Sequence, residues 1–249
     1  MTRGALAVAL VALLLAAPRL RAEEAPPWCY PGDGIEELSP TVCHFAPKKS
    51  SHDTLVVFLH GLTKVGTRWQ HDGERTLVRG ANANGFDVIM PRGRVLRGDL
   101  FNWPTSVKDQ AALESDVLGE WQAAREALEQ RNGKPFERVY VWGFSAGAYY
   151  VSSLALRGKL PVAGYATFAG GAAPKGSARW ARGTHPKPPI YVGYGKKDKS
   201  RKDPMRLAHE LAVMHWPRKV VERKKLGHSM TDAQMREAFQ FLSKTSSGK

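Results

Sequence analysis

Ten residues, Arg138-Val-Tyr-Val-Trp-Gly-Phe-Ser-Ala-Gly147, constrain this chain more than any other stretch. A β-branched and aromatic run of the kind that fills a buried strand leads without a spacer into Gly143-x-Ser145-x-Gly147. After it, Tyr149, Tyr150, Val151, Leu154 and Ala155 recur at helical spacing. A strand that turns at once into a helix has no room for side chains at the two positions flanking the turn, which accounts for glycine at both 143 and 147. Such a turn lifts the residue at its apex, Ser145, above the sheet with its hydroxyl free to attack. The five-residue pattern alone also arises by chance in glycine-rich loops; strand, turn and helix in this order give it chemical meaning.

A serine hydroxyl is a weak nucleophile and needs a base that a third group orients. Behind an elbow of this kind the acid and then the histidine are expected on loops leaving the carboxyl ends of later strands. Three aspartates follow Ser145: Asp198, Asp203 and Asp232. Residues 189–194 read as a strand, and Asp198 lies on the loop that leaves it. Asp203, directly before Pro204, reads as a helix N-cap, and Asp232, after Thr231, as the start of the last helix. Of the eight histidines, His44, His52, His71 and His185 have no motif around them, and His209 and His215 fall in a helical segment. His228 instead follows a predicted strand at 219–226, within Gly227-His228-Ser229. Ser145, Asp198 and His228 are the expected triad, with the choice of aspartate its open point. His228 would take the serine proton and Asp198 would hold the imidazole.

Acyl transfer also needs N–H donors for the developing oxyanion. Residues 55–60 read as a central strand running into Gly61-Leu62, so the backbone N–H groups of Leu62 and Ala146 are the expected donors. His60 is expected to brace that loop rather than touch substrate. The loop 92–105 should overhang the site and supply pocket residues Asn102 and Trp103, with Trp103 as an acyl-pocket wall, although a loop aromatic is as often a packing anchor.

Strands are predicted over 41–47, 54–60, 86–90, 138–142, 162–169, 189–194 and 219–226, and helices over 67–83, 110–130, 146–156, 205–215 and 232–243. This alternation implies a mostly parallel, twisted sheet with helices on both faces, whose ligands gather at the carboxyl ends of the strands. The length suits a single α/β domain, expected over 23–245 with a loose tail at 246–249.

These motifs carry a resemblance. With His60-Gly61, Gly143-Phe144-Ser145-Ala146-Gly147, Asp198 and Gly227-His228 in this order and spacing, the chain resembles the α/β-hydrolase superfamily over nearly its whole mature length. The segments 55–61, 85–91 and 140–147, with Trp69, resemble small secreted esterases of the polyhydroxybutyrate depolymerase and feruloyl esterase type. Ala148 and Tyr149 depart from that group, in which a second glycine or another small residue commonly follows the elbow. Superfamily lids are commonly inserted after the sixth strand, and only residues 170–188 are available there. The resemblance therefore implies an α/β-hydrolase fold with no large lid domain, and an open cleft suited to short acyl esters or esters displayed on a polymer.

The N-terminus reads as an export signal. Met1-Thr2-Arg3 gives a positive start, residues 5–17 an apolar run, and Leu20-Arg21-Ala22 a small-residue cleavage site, so residues 1–22 are the expected signal peptide. The run is shorter than the roughly 20 residues that span a bilayer, so export without a membrane span is expected, to the periplasm or beyond. In such an oxidising compartment Cys29 and Cys43 are expected to form a disulfide, with unpaired buried cysteines as the alternative.

The formal charge of +14 falls to +11 without the leader's Arg3, Arg19 and Arg21. Cations are expected to flank the cleft: Arg92, Arg94 and Arg97; Lys175, Arg179, Arg182 and Lys187; and Lys196, Lys197, Lys199, Arg201 and Lys202 around Asp198. They would attract an anionic polymer or surface, or simply solvate an exported basic protein. No nucleic-acid-reading module accompanies them, and no His/Cys cluster has metal-ligand spacing. The expectation is a secreted serine hydrolase that cleaves carboxylic esters through an acyl-enzyme, without metal or cofactor. A serine peptidase of the same fold, and an idle hydrolase fold that holds an anionic polymer by its basic rim, are the alternatives.

Overall fold

A computed structural model of the chain describes residues 27–173, 179 and 181–246. The expected signal peptide and residues 247–249 of the expected tail lie outside the described residues. Successive side chains along a strand point to opposite faces, and here both faces are apolar. In β3 (Thr54–Leu59), Leu55, Val57 and Leu59 enter one core cluster, while Val56 and Phe58 enter a second. In β7 (Arg138–Phe144), Val139 and Val141 go one way and Tyr140 and Trp142 the other. Strands buried on both faces need a helical layer on each side.

Those layers are present. α1 (Arg68–Asn84) and α5 (Asp232–Ser246) supply Leu77, Val78, Ala81, Met235, Ala238 and Leu242 to one cluster. α2 (Val107–Asn132), α3 (Ala146–Leu156) and α4 (Lys202–Val213) supply Val117, Trp121, Leu128, Tyr150, Leu154, Leu207 and Leu211 to the other.

The remaining strands are β1 (Glu36–Ser39), β2 (Val42–Phe45), β4 (Asp87–Pro91), β5 (Arg94–Arg97), β6 (Leu100–Asn102), β8 (Gly164–Phe168), β9 (Ile190–Gly195) and β10 (Arg218–Arg223). Among the described residues, eight of the ten strands form one sheet in the order β1-β2-β4-β3-β7-β8-β9-β10. The six strands from β4 to β10 are parallel, and β1 and β2 add antiparallel at one edge. From β3 the chain first winds outward to β4, then returns to the other side of β3 as β7 and proceeds to β10. The carboxyl ends of β3 and β7 therefore flank the point where the winding reverses, which is where open sheets of this kind hold ligands.

The structure departs from the sequence reading in several places. β1 was not expected. The loop after Pro91 contains a hairpin, β5–β6, tied to the loop after β3 through a bridge between Thr63 and Phe101. α2 starts at Val107 rather than 110 because the Ser106 hydroxyl accepts the Asp109 N–H (3.1 Å) and donates to its carboxylate (2.6 Å). α4 starts at Lys202, so Asp203 lies in its first turn and is not its cap. α5 runs to Ser246, whose hydroxyl lies 2.9 Å from that of Tyr140. Cys29 and Cys43 are joined as a disulfide that fastens the segment before β1 to β2.

Candidate active site

β7 ends at Phe144 and α3 begins at Ala146, so Ser145 alone turns the chain. Its backbone stands at φ 50° and ψ −115°, a conformation that costs a residue with a β-carbon on the order of 1–3 kcal/mol. The turn is held by the Ser145 N–H, which donates to the Phe168 carbonyl at 2.9 Å, and by the Gly147 N–H, which donates to the His60 carbonyl at 3.1 Å. A Cβ on Gly143 would lie 2.5 Å from the Gly147 backbone, and one on Gly147 would overlap the Leu59 carbonyl.

Asp198 lies on the loop after β9 with its side chain 2% exposed. Oδ2 accepts from His228 Nδ1 at 2.8 Å, and Oδ1 accepts the Ser200 N–H at 2.9 Å and the Ser200 hydroxyl at 2.7 Å. Burial by itself would raise the pKa of this carboxyl. The Ser200 donors and the His228 ring outweigh burial and hold it below the usual carboxylate range. With the Nδ1 proton committed to Asp198, His228 Nε2 is free to accept from the Ser145 hydroxyl, 2.8 Å away. The His228 loop is held down where the Lys197 N–H donates to the Leu226 carbonyl (2.9 Å), and the ring leans on Phe144 at 5.3 Å. The other two aspartates are engaged elsewhere: Asp203 accepts the Tyr149 hydroxyl at 2.6 Å, and Asp232 pairs with Arg79 at 3.3 Å.

Gly61 packs so closely on the elbow that a Cβ there would lie 3.2 Å from the Ser145 Cβ. The N–H groups of Leu62, which follows Gly61, and of Ala146, which opens α3, have no acceptor among the described residues. His60 sits beneath this loop. Its Nδ1 donates to the Gly61 carbonyl, its Nε2 accepts the Gly93 N–H at 2.9 Å, and its ring lies between Trp28 (5.1 Å) and Trp103 (4.8 Å). Burial pushes its pKa down to about 4, against a smaller upward pull from the Gly61 carbonyl. A neutral imidazole that ties the loop after β3 to the one after β4 is a brace.

The expected pocket wall is corrected. Trp103 is fully buried: its indole N–H donates to the His60 carbonyl at 2.8 Å, and its ring stacks on Tyr150 and meets Trp121 edge-on. Asn102 turns its side-chain oxygen back to accept the Trp103 N–H at 2.8 Å. The hairpin thus supplies a packing anchor, because an indole that reaches a buried carbonyl and two aromatic partners gains more inside than at the surface.

A cleft of about 550 Å³ opens instead on the other side of the elbow, between Leu62, Phe144 and Met230 and the first half of α1, with Trp28 and Met90 in its wall. Glu74 lines it. Its carboxyl accepts the Tyr30 N–H at 2.8 Å and the Gln70 amide at 3.1 Å, yet burial outweighs both and pushes its pKa up to about 7. The sequence carried a signal for it, since Gln70, Glu74, Leu77, Val78 and Ala81 share one helical stripe and all five are buried.

The expected cations divide. Lys196, Lys197, Lys199, Arg201 and Lys202 are exposed around Asp198. Arg94 is paired with Glu120, and the guanidinium of Arg92 lies over the Phe101 ring at 5.0 Å. Lys187 precedes β9 and donates to the Met214 carbonyl, at the amino ends of the strands and away from this site. Lys175 lies outside the described residues.

The phospholipase/carboxylesterase family model matches residues 42–246. No curated protein matches the chain in sequence. Among solved structures, the chain is similar to a Thermus thermophilus protein (20% identity, TM-score 0.59), covering 86% of this chain and 98% of that one. It is similar to Zea mays acyl-protein thioesterase 2 (18%, 0.57; 82% and 98%) and to the Bacillus cereus carboxylesterase (15%, 0.57; 82% and 93%). At these identities the structures speak for the fold. With a reversed-winding parallel sheet, a serine elbow at the reversal and a family model that spans most of its length, the chain belongs to the phospholipase/carboxylesterase family of the α/β-hydrolase superfamily.

Proposed function

We propose that this ester hydrolase is a serine esterase that works through an acyl-enzyme on short acyl esters or esters borne by a polymer. One observation carries the reading: His228 lies 2.8 Å from both the Ser145 hydroxyl and the Asp198 carboxylate. As Ser145 Oγ bonds to the ester carbonyl carbon, its proton passes to His228 Nε2, and the ionised Asp198 stabilises the resulting imidazolium. The carbonyl oxygen takes up negative charge facing the Leu62 and Ala146 N–H groups, which need no reorganisation to receive it. Collapse breaks the bond to the alcohol oxygen, which leaves with the proton from His228. Water deprotonated by the same nitrogen then releases the acid and restores Ser145.

The disulfide supports an exported protein, because such bonds persist in oxidising compartments. Among the described residues no helix is long and apolar enough to cross a membrane. The test is hydrolysis of p-nitrophenyl esters from acetate to palmitate by wild type and Ser145→Ala. Serine-dependent turnover that favours short chains is expected. Turnover of matched amides but of no ester would move the reading to a peptidase.

A further inference from the structure

We infer that the cleft between the elbow and α1 receives the alcohol part of the ester, and that it is shaped for an apolar, ring-sized group. The inference rests on the esterase reading above and adds the side of the substrate that the chain selects.

The position of the general acid fixes the orientation. The proton that His228 takes from Ser145 must return to the departing alcohol oxygen, so the alcohol lies on the His228 side of the scissile bond. The cleft is walled on that side by Ser229 and Met230, which directly follow His228, and by Phe144, whose ring is 5.3 Å from the imidazole. The cleft thus adjoins the catalytic residues, its wall including the residue directly before Ser145 and the one directly after His228. Its volume, about 550 Å³, lies within the roughly 300–1,000 Å³ of small-molecule sites.

Two further observations describe the occupant. Leu62, 53% exposed, and Trp69, 73% exposed, both line the cleft. Large apolar side chains left in water beside a cleft mark a surface that an apolar partner covers. Gly73 stands in the interior of α1 on the wall of the cleft, and a Cβ there would meet nothing within 4 Å. Glycine is among the poorest helix formers, and no neighbour excludes a larger residue at this position. What glycine preserves there is the open volume.

The experiment follows from that open volume. Wild type, Gly73→Phe and Trp69→Ala are compared on methyl acetate and 2-naphthyl acetate, which differ in the alcohol, and on methyl acetate and methyl octanoate, which differ in the acyl group. Thermal melts establish that each variant is folded. In Gly73→Phe the ratio of kcat/KM for 2-naphthyl over methyl acetate is expected to fall about 10-fold or more, the scale of losing an apolar pocket contact. The octanoate to acetate ratio should stay as in wild type. Trp69→Ala should raise KM for the naphthyl ester several-fold with little change in kcat. A shift in the acyl series with none in the alcohol series, or ratios unchanged in a folded Gly73→Phe protein, overturns the inference while the esterase reading stands. Absence of any Ser145-dependent ester turnover in wild type overturns both.

Discussion

Asp198 and Glu74 are both buried carboxyls, and the number of donors around each decides which form it holds. Three donors, two from Ser200 and one from the His228 ring, keep Asp198 ionised, while two neutral donors leave Glu74 with a pKa of about 7. A carboxyl whose pKa is raised on folding contributes stability that is fully present below its unfolded value and is lost as pH climbs through the folded value. For Glu74 that window runs from 4.5 to about 7, and the full depth is roughly 3 kcal/mol at about 1.36 kcal/mol per unit. Thermal melts across this range should show wild type losing stability that Glu74→Gln does not lose; parallel profiles would contradict the assignment. At the elbow, Gly147→Ala should fail to accumulate as folded protein or lose its esterase activity, because the added methyl overlaps the Leu59 carbonyl. The residues brought together at Ser145 were legible because each sits on a loop directly after a strand readable on its own. Trp103 was not, since the burial of a loop indole depends on His60, Trp121 and Tyr150, which come from three distant segments. Glu74 was half legible: the helical stripe marks it as buried, but its donor from the Tyr30 segment appears only in the fold.

α5 begins four residues after His228, so its start governs where the cleft wall stands. Thr231 Oγ1 accepts the Gln234 N–H and Gln234 Oε1 accepts the Thr231 N–H, each at 3.2 Å, a reciprocal cap. Thr231→Ala is expected to cost about 1 kcal/mol, which lowers Tm by roughly 2–4 °C in a domain of this size; an unchanged Tm would show that the cap is dispensable. The long central strands and the five helices α1 to α5 were readable from periodicity, with errors at the ends, where capping side chains rather than apolar spacing set the boundary. Ser106-x-x-Asp109 is a start signature that places the first turn of α2 correctly. β1 and the β5–β6 hairpin were harder to read. Each is a short strand at a sheet edge or on the surface, with no buried stripe to betray it.

Across the molecule, the Cys29–Cys43 bond ties the N-terminal segment to the sheet and thereby sets the outer wall of the cleft. Trp28, next to it, donates its indole N–H to the Met90 carbonyl at 3.0 Å and leans on His60. Closing a loop across a separation of 14 residues is worth about 3 kcal/mol, so reduction should lower Tm markedly and weaken turnover of bulky-alcohol esters more than of methyl esters. Equal melts with and without reductant would remove the disulfide from this account. The exposed cations around Asp198 give a second prediction at this scale. Added salt should lower kcat/KM for a negatively charged ester and leave a neutral one nearly unchanged, because screening acts on the attraction between charges; equal responses would assign the charge to solvation alone. The proposed hydrolysis passes through a covalent intermediate on Ser145. Acid-quenched protein taken during turnover of p-nitrophenyl acetate, digested and mapped by mass spectrometry, should carry the acetyl group on the peptide and at the hydroxyl of Ser145. An acetyl group on another residue, together with turnover undiminished in Ser145→Ala, would contradict it.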